Sequence, residues 1–173
     1  MTPMRTNPAL KAPAPHMPPA PQWLQARDAM RVQVCNGDAD ALTFLEDFMN
    51  VIEFWDDLID GDVPVGPERI NAVFVSVLVR FVNNRFWIEN RHYLTPFMVM
   101  TISAWMDSEE IGDDADRRVR NVAFHIRNYG LELYHAVAFL TGGWDHLREM
   151  GPALRRFFSF EAFEDWEKEH GNG

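Results

Sequence analysis

"ALTFLEDFMNVIEFWDDLID", residues 41 to 60, is the stretch on which the fold turns. On a wheel at about 100° per residue, Leu45, Phe48, Val51, Ile52, Trp55, Leu58 and Ile59 gather on one side. Glu46, Asn50, Glu53, Asp57 and Asp60 fall on the opposite side in one line, at steps of four, three, four and three. That periodicity over five turns is the signature of an amphipathic helix with one face in a core.

The neighbouring stretches carry the same signal. "CNGD" is a turn ahead of this helix, with Asp38 or Asp40 as its cap, and "GDVPVGP" breaks it after residue 60. Upstream, "PQWLQARDAMRVQV" reads as a first helix. Downstream, Pro67 opens "PERINAVFVSVLVRFVNN", since its missing amide proton is an orphan at a helix start. "RFWIENRHYL" is expected to be a short piece ended by the Thr95-Pro96 pair, with Pro96 opening "PFMVMTISAWMDSEEIG". The longest helix is expected over residues 113 to about 140, stopped by "TGG", and "WDHLREMGPALRRFFSF" and "EAFEDWEKEH" finish the chain. No repeat and no strand ladder is visible. The expectation is an all-α, single-domain helical bundle of five to seven helices over residues 22–173.

Ahead of it, seven of the eleven prolines fall in residues 1–21, with no apolar period and no acidic residue, which reads as a flexible proline-rich arm. With 173 residues and 47% hydrophobic content the chain is long enough to bury a core. A net charge of −10 argues against nucleic acid, whose phosphates need clustered Lys and Arg; a basic protein partner or a divalent cation suits the charge better, and a homo-oligomer stays open. Cys35 is alone, which fits a reducing compartment. "AVFVSVLV" is too short for a membrane span and the N-terminus lacks a signal-peptide core, so a cytoplasmic protein is expected.

The acidic line carries the functional question. No Lys or Arg occurs between Asp38 and Asp62, and negative charge crowds the end of the helix that the macrodipole disfavours, at about 0.3 to 1 kcal/mol per charge. Such a line calls for a cation or a basic wall to neutralise it, or else is a solvated face. "DDLID", residues 56 to 60, has the form DDxxD, in which Asp56, Asp57 and Asp60 lie within one turn and can converge on Mg²⁺.

In these five residues the chain resembles the class I isoprenoid synthases, all-α enzymes that hold Mg²⁺ on such a motif and, through the metal, a substrate diphosphate. The resemblance implies Asp56, Asp57 and Asp60 as metal ligands with Glu53 assisting, and Arg120 or Arg127 as a further contact to a small diphosphate ligand. Toward the family's second metal motif, "NYGLE" offers Asn128 and Glu132 without the hydroxyl residue, and family members are considerably longer than this chain.

Other readings stay open. Asn121, His125, Asn128, Glu132 and His135 form a second polar line, and His125 and His135 are candidate metal ligands if it faces the first. "ENRH" and "ELYH", with Glu53 and Glu110, resemble the ligand order of ferritin-like di-iron bundles, which implies Fe in place of Mg²⁺. "EFWD" and "EEIGD" resemble fragments of the MazG-like pyrophosphohydrolases. A further reading is a non-catalytic interaction or assembly protein that docks a basic partner on the acidic face; the composition, the arm and "FWDDLIDGDVPV" also resemble small helical proteins encoded by bacteriophages and their hosts, a likeness that brings no function with it.

Overall fold

The computed structural model describes residues 21 to 61 and 64 to 170; the stretch 1 to 20, on which most of the expected arm falls, lies outside the described residues. Helix α1 (Pro21–Val34) ends in a tight turn where Asn36 and Gly37 take positive φ, and α2 (Ala39–Asp60) follows. Asp38 caps α2, its carboxylate accepting from the amides of Asp40 and Ala41, and Gly61 closes it at φ 68°.

Helix α3 (Pro67–Val75) opens with Pro67 and continues directly into a π-helical segment, Ser76–Phe81; together these form the α3 rod. With i→i+5 bonding, residues five apart share a side, so Ser76 donates to the Asp47 carboxylate while Phe81 meets the rings of Phe44 and Trp87.

Helix α4 (Arg85–Ile111) is capped by Asn84, α5 (Arg117–Ile126) by Asp116, and α6 (Gly130–Phe158) and α7 (Phe163–His170) complete the bundle. The described residues contain helices and no strand, so the all-α expectation stands. The main core gathers Phe44, Leu45 and Phe48 of α2 with Phe86 and Leu94 of α4 and Leu133, Tyr134 and Val137 of α6. A smaller cluster joins Ala123 of α5 to Phe163 and Trp166 of α7.

Three expectations are corrected. Pro96 starts no helix: it lies inside α4, where Thr95 Oγ1 donates to the Arg91 carbonyl and burial of Phe86 and Leu94 holds the turns before it. The expected long helix is interrupted at residues 127 to 129, and α6 begins at Gly130, where the chain passes close to Thr101 and Met49. The buried face of α2 is also wider than the wheel implied. Phe54 and Asp47 are buried while Leu58 and Ile59 stand half exposed, because α2 is flanked by α1, the α3 rod, α4 and α6. "TGG" does interrupt its helix: Gly143, at φ 72° and ψ −165°, separates two helical halves of α6.

Candidate functional site

The acidic line of α2 meets a wall of arginines brought from elsewhere in the chain. Glu53 pairs with Arg27 and Arg31 of α1, and Asp57 pairs with Arg69 of α3. On the adjoining side of α2, the buried Asp47 accepts from Ser76 and pairs with Arg80. Arg31 is itself buried and donates to the Tyr134 hydroxyl at 3.1 Å. Burial works against its charge, but Tyr134, Glu53 and Asp28 outweigh that and hold its pKa above the ordinary value. Burial pushes Tyr134 upward.

Asp56 accepts from the Trp105 indole at 3.0 Å, and the side chain of Asp60 lies outside the described ones. Among the described residues, no group of three or more His, Cys, Asp or Glu is placed to hold a metal ion.

The residues expected to complete the site are dispersed. Arg120 ties the α4 to α5 connection to α7, donating to the carbonyls of Asp114 and Ala115 and pairing with Glu167. Arg127 pairs with Glu161 and lies over the rings of Phe124 and Trp166. Glu132 is taken by Arg155 and lies 3.5 Å from His135. His125 is exposed on α5, its ring edge-on to Phe124.

The second polar line is cut at the 127 to 129 turn, so its members do not share one helix face. His135 Nδ1 contacts the Leu131 carbonyl, and Nε2 is buried beside Gly151, where an added Cβ would stand 3.4 Å away. The di-iron pattern also loses its frame: Glu89, His92 and Glu110 sit exposed on the single helix α4, where four helices are needed.

Arg127 and Asn128 do share one cleft of about 120 Å³, with Met49, Ile52, Trp105, Leu131, Tyr134 and Phe158 around it. A pocket for a small organic ligand is roughly 300 to 1,000 Å³, so this cleft has room for a few atoms. Asp56 is linked to it through the Trp105 indole.

No protein-family model, no curated protein and no solved structure matches this chain.

What the sequence reading did not single out is on the outside. The α3 rod buries Val73 and Ser76 and leaves Phe74, Val75, Val77, Leu78, Val79 and Val82, just beyond it, exposed. Leu78 is 65% exposed. The run "AVFVSVLV" showed apolar character all round, which ordinarily marks a helix covered on every side; which side stays open is decided only by its neighbours. Among the described residues, no helix is long and apolar enough to cross a membrane.

Proposed function

We propose that this chain is a non-catalytic helical interaction module whose docking surface is the outer face of the α3 rod. The observation that carries this reading is the run of exposed Phe74, Val75, Val77, Leu78 and Val79 on a rod with so narrow a buried stripe, continued by Val82 just past its end. Monomeric proteins rarely leave a contiguous apolar patch beyond a few hundred Å² uncovered, and such patches mark binding surfaces. The π-helical geometry contributes, because it spends the inward positions on Ser76 and Phe81 and turns the aliphatic side chains between them outward.

The arginine wall bears on the alternatives. A Mg²⁺ at "DDLID" has to compete with Arg69 for Asp57 and with the Trp105 indole for Asp56, and a basic partner for the acidic line meets Glu53 and Asp57 already paired within the fold.

The test is a parallel affinity isolation with wild type and Leu78→Asp, both with unchanged circular dichroism. The wild type is expected to retain a partner that the variant loses; identical recovery refutes docking through the rod. Thermal unfolding with Mg²⁺ and pyrophosphate runs beside it. A midpoint rise of about 5 to 10 °C that Asp57→Ala removes would establish the diphosphate site in its place.

A further inference from the structure

On α4, Ile88, His92, Thr95, Val99, Ile102 and Met106 recur at steps of four, three, four, three and four, and all six are exposed. Leu94, Thr101, Ala104 and Ser108, which α4 buries in its own bundle, lie on the other side of the helix. A helix at the rim of a bundle ordinarily turns charge to water. This one turns outward a seam of 3.5-residue period, the spacing with which one helix packs along another. At 1.5 Å per residue the seam is about 27 Å long.

Two features select the occupant. The steps read the same in both directions, so an antiparallel copy of the helix matches every seam position: Ile88 opposite Met106, His92 opposite Ile102 and Thr95 opposite Val99. Charge agrees with that direction. The first half of α4 carries Arg85 and Arg91 beside Glu89, and the last turns carry Asp107, Glu109 and Glu110. Laid parallel, two copies set acidic end against acidic end; laid antiparallel, each acidic end instead faces the half that carries Arg91 and Arg85, the latter also paired with Asp40 of its own chain.

The geometry points to a homodimer in which α4 of one copy lies antiparallel on α4 of a second, about a two-fold axis between Thr95 and Val99. Such a contact is isologous, so it closes at two copies. Ile88, Val99, Ile102 and Met106 of the seam are each between 37 and 60% exposed, so the face is open along its whole length. The α3 rod takes no part, so this goes beyond the docking function and does not depend on it.

Sedimentation equilibrium of the full chain tests it. The expected species has twice the 20.0 kDa chain mass. Val99→Glu, with circular dichroism retained, is expected to raise the dimer dissociation constant by roughly tenfold or more, and Leu78→Asp to leave it unchanged. Direction is read by cross-linking. Ile88→Cys mixed with Met106→Cys should form a disulfide between copies under mild oxidation, and Ile88→Cys alone should not; Cys35 is buried and stays out of the reaction. A wild type monomeric up to roughly 100 times the micromolar range overturns the dimer and leaves docking through the rod standing. Dissociation by Leu78→Asp in place of Val99→Glu, or efficient self-cross-linking of Ile88→Cys, overturns the antiparallel α4 arrangement.

Discussion

Cys35 sits at the end of α1 with 1% of its surface exposed, and burial, with Asp38 and Glu46 adding, pushes its thiol from the ordinary 9.0 up to about 12. The folded state therefore holds the proton that the unfolded chain gives up first. The stabilisation is whole below pH 9 and is lost as pH rises from there through about 12. The stability difference between wild type and Cys35→Ala, from urea midpoints, should shrink across that window, and alkylation of the native thiol at pH 8 should proceed at the rate of opening. The same scale shows what the sequence hid: Asp57 and Arg69 lie twelve positions apart, and Glu53 and Arg27 twenty-six, so no local reading could pair them.

Helix limits set by local chemistry were legible. Asp38 caps α2 by bonds two and three residues away, and Pro67 opens α3, because both effects act within one turn. Pro96 misled, because its cost of about 3 kcal/mol in a helix interior is a local penalty that burial of Leu94 and Phe97 in the bundle offsets. Gly143 worked the other way. Its φ of 72° with ψ of −165° is a region essentially closed to other residues, and no atom lies within 4 Å of an added Cβ. Gly143→Ala should therefore cost about 1 to 3 kcal/mol from backbone strain alone, seen as a midpoint lower by roughly 3 to 10 °C. An unchanged midpoint would mean that the break in α6 can straighten.

Across the molecule, the core is divided. Trp166 and Phe163 of α7 close over Ala123 and Phe124 of α5, apart from the cluster built around Phe44 and Tyr134. Trp166→Ala should remove about 3 to 5 kcal/mol of packing from that smaller cluster. Hydrogen exchange should then show α5 and α7 losing protection while α2 and the first half of α6 keep theirs. Uniform loss across all helices would show one cooperative unit instead.

The sequence by itself determined the class of fold, most of the helix starts and stops, and the presence of a long acidic line on α2. Those properties come from periodicity and capping, which operate over a few residues. Only the tertiary structure decided what the line faces. Arg27, Arg31 and Arg69 reach it from two other helices, and the candidate partners Arg120, Arg127 and Glu132 are taken by Glu167, Glu161 and Arg155. It also decided which apolar side chains stay outside. Leu45 and Leu78 are the same residue type in helices of similar apolar content, yet one is fully buried and the other mostly exposed. Burial belongs to the neighbours a helix meets, and those are chosen by the packing of the whole chain.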